Sequence, residues 1–176
     1  PGQGSQSVGM GKELYDRYSR VKEIFRTVDE TLGYSLSSII FNGNDSELKL
    51  TKHTQPAIMT VGVSIFTILK EEFNVNLNKA KFFAGHSLGE YTALVCAGAL
   101  SLESAAYLLH ERGKAMQEAV PEGEGAMIAV LGMTIDEVEK EINLLPKDGI
   151  CEIANDNSNA QVVVSGTKKI IEILNE

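Results

Sequence analysis

Phe82-Phe83-Ala84 runs directly into Gly85-His86-Ser87-Leu88-Gly89, and an Ala-rich stretch follows to about Cys96. No other segment restricts the fold as much. A short apolar run, a glycine-flanked turn and a helix-forming stretch predict strand, sharp turn and helix. The strand would be buried in the parallel sheet of an α/β architecture. The turn fits G-x-S-x-G, in which the serine sits on a tight, strained junction. Flanking glycines let neighbouring backbone approach closely. The hydroxyl is pushed toward solvent at the helix N-terminus, where the helix dipole and N–H groups such as that of Leu88 can stabilise an oxyanion. Matches of five residues also arise by chance in glycine-rich loops. Here the strand before and the helix after are what the motif requires, so Ser87 is the expected nucleophile.

A serine nucleophile needs a base. The chain carries three histidines, His53, His86 and His110. His53 precedes the serine, against hydrolase-like order. His86 is adjacent to it, so its ring points away from the hydroxyl and suits a packed turn residue. His110 falls in a helix and reads as an ordinary helical histidine. No base is visible, and the expectation is that it lies beyond Glu176. The ends agree: the chain opens on Pro1-Gly2-Gln3-Gly4 without an initiator Met and closes in the helix-like Lys168-Lys169-Ile170-Ile171-Glu172-Ile173-Leu174 without a C-cap. Both read as a piece of a longer protein.

The rest of the chain fills in the α/β frame. Leu14, Tyr18, Val21, Phe25, Val28 and Leu32 predict one amphipathic helix over 11–32. Pro56 suits the first turn of a helix reaching about Phe73, apolar nearly all round and therefore central. Ser101 reads as the N-cap of a helix to about Gln117. Texture changes at Pro121-Glu122-Gly123-Glu124-Gly125, which divides the chain into 1–124 and 125–176. In the second part Ala126–Leu131 predicts a strand, and Thr134-Ile135-Asp136-Glu137 a capping box opening a helix. Ile150–Ala154 and Gln161–Ser165 predict strands around a turn at Asn155-Asp156-Asn157-Ser158-Asn159, and Gly166-Thr167 opens a last helix. The order β-α-β-β-α is a ferredoxin-like unit lacking its last strand.

Composition excludes some functions. With 43% hydrophobic and 23% charged residues the chain is neither disordered nor fibrous. No run approaches the ~18 apolar residues of a membrane span, and a net charge of −8 disfavours nucleic acid as the main partner, although a local basic patch could still serve one. Cys96 and Cys151 form no spaced cluster and sit in apolar surroundings, which predicts buried, reduced thiols and a cytoplasmic protein.

Three segments taken together resemble the malonyl-CoA:acyl carrier protein transacylases of bacterial fatty-acid synthesis: Pro1-Gly2-Gln3-Gly4-Ser5-Gln6, Gly85-His86-Ser87-Leu88-Gly89-Glu90-Tyr91 and Arg112-Gly113-Lys114-Ala115-Met116-Gln117-Glu118-Ala119-Val120-Pro121. Thr54-Gln55-Pro56-Ala57 and Ala154-Asn155-Asp156-Asn157 add weaker support, and the resemblance runs through the whole chain in order. It implies an α/β-hydrolase-like large subdomain with an inserted ferredoxin-like small subdomain, here truncated at both ends. It also implies ping-pong transfer of malonyl from malonyl-CoA to the phosphopantetheine thiol of acyl carrier protein through an ester on Ser87. The backbone N–H groups of Gln3 and Leu88 would form the oxyanion hole.

Arg112, 25 positions after Ser87, would clamp the free malonyl carboxylate, because a guanidinium offers a planar two-donor fork. His86 would border the substrate. Gln55 would line the pocket or merely cap a helix, and Met116 would wall the acyl pocket or pack in the core. Asn155 and Asn157 would lie near the cleft or do ordinary turn work. The resemblance implies no metal or redox cofactor and a monomer, with no nucleic-acid or membrane partner. It places a catalytic histidine, a glutamine that holds it and the last small-subdomain strand beyond Glu176, and a first core strand before Pro1, so that residues 1–176 alone would be inactive. An acyltransferase domain of a polyketide or fatty-acid megasynthase and a non-catalytic carrier-binding module are the alternatives. Lys12, Arg17, Arg20, Lys22 and Arg26 would either dock an acidic carrier or form a solvated helix face.

Overall fold

The computed structural model describes residues 1–121 and 123–175; Glu122, in the expected boundary segment, and Glu176, the reference point for the missing base, lie outside the described residues. The chain forms two compact units, Pro1–Gln117 and Glu118–Glu176.

In the first unit the expected single helix over 11–32 is two, α1 (Lys12–Arg17) and α2 (Ser19–Leu32). The chain breaks at Tyr18, whose backbone is extended at φ −119 and ψ 122. Apolar spacing runs across the break because Leu14, Tyr18, Val21 and Phe25 all pack on one core. There follow α3 (Leu36–Asn42), α4 (Asp45–Lys49) and the 21-residue α5 (Thr51–Glu71). Leu36, Ile40, Leu48, Ala57, Ile58 and Met59 pack around α5 with α2.

α5 begins five residues earlier than Pro56 suggested, and Pro56 lies inside it. Its buried hydroxyls are satisfied: Thr54 donates to Leu48 O at 2.6 Å, Thr60 to Pro56 O at 2.7 Å and Ser64 to Thr60 O at 2.8 Å. Backbone acceptors of this kind let polar side chains sit in a core without an orphaned group. The helix is central only in part, since Ile65 and Leu69 near its end are exposed.

The strand expected at Phe82-Phe83-Ala84 does not form, and Phe82 is 89% exposed. A strand exists only through hydrogen bonds to a neighbour. Among the described residues the only sheet lies in the second unit. The helix after the turn does form, as α6 (Leu88–Cys96), and α7 (Leu102–Ala119) starts where Ser101 predicted. The Ser101 hydroxyl accepts from Ser104 N at 3.1 Å.

The second unit is β1 (Gly125–Leu131), α8 (Ile135–Leu144), β2 (Cys151–Ser158), β3 (Gln161–Thr167) and α9 (Lys168–Leu174). The sheet is antiparallel in the order β1-β3-β2. Val162 and Val164 of β3 are buried with Val138 of α8 and Ile171 of α9. The capping box is present, with Glu137 Oε2 accepting from Thr134 N at 2.8 Å. Asn155 and Asn157 are not in a turn: β2 continues through them, with one register shift just before Asn155 and another at Asn157, and Asn159-Ala160 reverse the chain. Cys96 and Cys151 are free and half-buried rather than buried, and burial pushes both thiols up.

His53, buried on α5, has its Nδ1 3.0 Å from Glu47 O. Burial is the largest influence and lowers its pKa, against the opposing effect of the Glu47 carbonyl. The folded state therefore favours neutral His53. Its contribution is complete above the ordinary histidine pKa of about 6.5 and fades as pH falls through the lower folded value. Melting temperature is expected to drop more between about pH 7.5 and about pH 5.5 in the unsubstituted protein than in His53→Gln. Equal drops would show that His53 carries none of the effect.

Candidate active site

The serine turn is built by its glycines. Ser87 has φ 55 and ψ −117, the geometry of the first central residue of a type II′ turn, which glycine normally occupies. Gly89 N closes the turn on His86 O at 2.9 Å. A Cβ on Gly85 would collide with the Gly89 carbonyl, so only glycine lets the incoming chain cross the first turn of α6. A Cβ on Gly89 would stand 3.2 Å from Pro1 O, and one on Gly2 3.7 Å from His86 Nδ1. The opening loop thus lies against the turn, and His86 packs beside it. Ser87 is exposed, while Leu88, the first residue of α6, is buried.

Arg112 reaches this turn from α7. Its Nη2 donates to Ser87 Oγ at 3.0 Å and its Nη1 to Gln55 Oε1 at 2.6 Å. Gln55 is fully buried on α5, and its Nε2 is 3.3 Å from Met116 Sδ. Gln55 lies inside α5 and so is not its cap; its side chain holds the guanidinium. Met116 is 48% exposed and belongs beside Gln55 rather than in the core. Gln3 ties the opening loop to α5 by donating from Nε2 to Thr51 Oγ1 at 3.3 Å.

Among the described residues Arg112 makes no ion pair. Both of its acceptors are neutral, and the N-terminus of α6 adds further positive potential. A full positive charge beside the exposed Ser87 hydroxyl suits a ligand that brings its own anionic group.

His53 and His110 are engaged elsewhere, His53 at Glu47 O and His110 Nδ1 at Tyr34 Oη and Lys52 O. Asn155 and Asn157 belong to the second unit: Asn155 is opposite Val163 in the sheet, and Asn157 Nδ2 donates to Gln161 Oε1 at 3.2 Å. Of the basic side chains of α1 and α2, Lys12 pairs with Asp16, Arg20 with Glu23 and Glu71, and Arg26 with Glu30, while Arg17 and Lys22 stand over the Tyr18 and Tyr15 rings. What the residue pattern missed is how α7 is seated. A proline within a helix leaves the carbonyl four residues back without a donor, and that was the available signal.

Ser87 on its strained turn, with an arginine at its hydroxyl that makes no ion pair among the described residues, marks the candidate site on an α/β frame. The chain belongs to the acyl transferase domain family, which it matches over residues 1–176. It is 46% identical over 177 residues to the malonyl CoA-acyl carrier protein transacylase of Bacillus subtilis (strain 168), covering 100% of this chain and 55% of that protein. The crystal structure of acyl-carrier-protein-S-malonyltransferase from Bartonella henselae superposes with a TM-score of 0.90 at 45% identity, over 99% of this chain and 55% of that one. A type II PKS acyl-carrier protein in complex with its malonyl-transacylase matches with a TM-score of 0.88 at 38% identity, over 99% and 55%. The fold is thus that of the malonyltransferases, and the chain spans about half the length of the curated relatives it matches.

Proposed function

We propose that this chain carries the acyl-accepting half of a cytoplasmic malonyl-CoA:acyl carrier protein transacylase of fatty-acid synthesis, acting as a monomer. Arg112, without an ion pair among the described residues and 3.0 Å from Ser87 Oγ, is the observation that carries the reading, and the names of the relatives support it. Ser87 Oγ attacks the thioester carbonyl of malonyl-CoA while its proton passes to a histidine outside residues 1–176. The N–H groups of Leu88 and Gln3 receive the oxyanion. The carbon–sulfur bond breaks and CoA leaves as the thiol, taking the proton. The phosphopantetheine thiol of the carrier then attacks the ester, and Ser87 regains its proton. During both steps Arg112 exchanges its contact with Ser87 for the malonate carboxylate and keeps Gln55.

Incubating the full-length protein with malonyl-CoA, without carrier, is expected to leave a malonyl ester on the peptide containing Ser87, detectable by mass spectrometry, and to discharge it when carrier is added. An adduct at another residue, or none, would overturn the reading.

A further inference from the structure

α5 begins with two backbone faults. Its N-cap position is Leu50, which has no side-chain acceptor for the first N–H groups. Pro56 lacks the N–H that would serve Lys52 O. Both faults fall on the peptide groups of Lys52, and both are repaired by α7. Gln117 Oε1 accepts from Lys52 N at 3.0 Å. His110 Nδ1 lies 3.3 Å from Lys52 O and 3.2 Å from Tyr34 Oη; in the tautomer with the ring proton on Nδ1 it donates to the Lys52 carbonyl. Between them, Gly113 brings the two backbones together; a Cβ there would stand 2.5 Å from Thr51 O and 2.6 Å from Lys52 Cα.

His110, Gly113 and Gln117 are spaced i, i+3, i+7 and share one face of α7. Arg112 and Met116, spaced i, i+4, share the neighbouring face and meet Gln55, three residues along α5 from Lys52. One stripe of α7 thus grips the start of α5, and the next carries the contact with Gln55 and Ser87.

We propose that His110 and Gln117 are positioning residues that fix α7 against α5, so that Arg112 holds the register needed for the acyl carboxylate. Neither touches substrate; they act through Lys52 and the seating of Arg112. The inference rests on the malonyl-transfer reading above. It separates from that reading because acetyl loading, which has no carboxylate to place, is independent of where the guanidinium sits.

The test is the ratio of malonyl to acetyl loading of Ser87 from the two CoA esters, in the full-length protein. Loss of the hydrogen bond in His110→Ala is expected to lower that ratio by about fivefold, through a higher KM for malonyl-CoA with little change in kcat. His110→Gln, which can still donate to the Lys52 carbonyl, is expected to restore most of the ratio, and Gln117→Ala to lower it in the same direction. A purely structural role would depress malonyl and acetyl loading together and leave the ratio unchanged, which would overturn the inference. So would equal ratios in His110→Ala and His110→Gln. Should His110→Ala fail to fold, Gln117→Ala alone decides by the same ratio. Failure of the malonyl-transfer reading shows instead in the unsubstituted protein, as an absence of malonyl loading.

Discussion

Ser87→Gly is expected to abolish acyl transfer and, in the same protein, to raise its melting temperature above that of Ser87→Ala. The loss is chemical. In the proposed mechanism no atom then remains to carry the acyl group, and removal of a serine nucleophile costs on the order of 10⁴ to 10⁶ in rate. The gain comes from the backbone. Ser87 holds φ 55 and ψ −117, which a residue with a Cβ adopts at a cost of about 1 to 3 kcal/mol. Glycine takes this conformation freely, but it gives back roughly 0.5 to 1 kcal/mol through its more flexible unfolded state. Ala lacks the hydroxyl just as Gly does, so comparing the two cancels the lost contact with Arg112 and isolates the strain. A net gain of about 1 kcal/mol should appear as a few degrees in a thermal melt. Should Ser87→Gly melt at or below Ser87→Ala, the turn stores no strain, and the exposure of the hydroxyl needs another cause.

The same turn shows why some of this molecule was legible in its residues. Backbone lies where a Cβ on Gly85 would be, and comes within 3.2 Å of one on Gly89, so the motif records a steric fact. The capping box at Thr134 and Glu137 is equally local. Features set by distant partners were not legible. Phe82 and Phe83 have the composition of a buried strand, but a strand needs a neighbour to pair with. Asn155 and Asn157 have the composition of a turn, yet β2 runs through both, Asn155 opposite Val163 and Asn157 at a register shift. Pro56 marks a helix start by its own preference; α5 runs back to Thr51, where Lys52 N donates to Gln117 Oε1 and Lys52 O lies 3.3 Å from His110 Nδ1, both partners far along the chain. Within the site, Arg112 and Ser87 could be singled out from their motifs. That Gln55 is the residue holding Arg112 depends on two helices meeting, which spacing along one chain does not encode.

Arg112→Ala is expected to remove the preference for malonyl over acetyl while leaving acetyl loading of Ser87 nearly intact. In the folded protein the guanidinium has neutral acceptors on both prongs, Gln55 at 2.6 Å and Ser87 at 3.0 Å. Gln55 is buried and held in turn near Met116, so one prong stays fixed when a carboxylate replaces the contact with Ser87. Truncating one partner of such a hydrogen-bonded charge pair costs about 2 to 5 kcal/mol, or roughly 30-fold to several thousand-fold in kcat/KM for malonyl-CoA. Acetyl has no charge to leave unpaired and should lose little. Arg112→Lys is the sharper comparison. A lysine keeps the charge but is a compact point donor on a flexible stem, unable to keep Gln55 on one prong while offering the other to the substrate. It should recover only part of the selectivity. A malonyl preference that survives Arg112→Ala unchanged would mean that the carboxylate is read elsewhere. It would also remove the reason for Gln55 to be buried at the one place where it can hold this arginine.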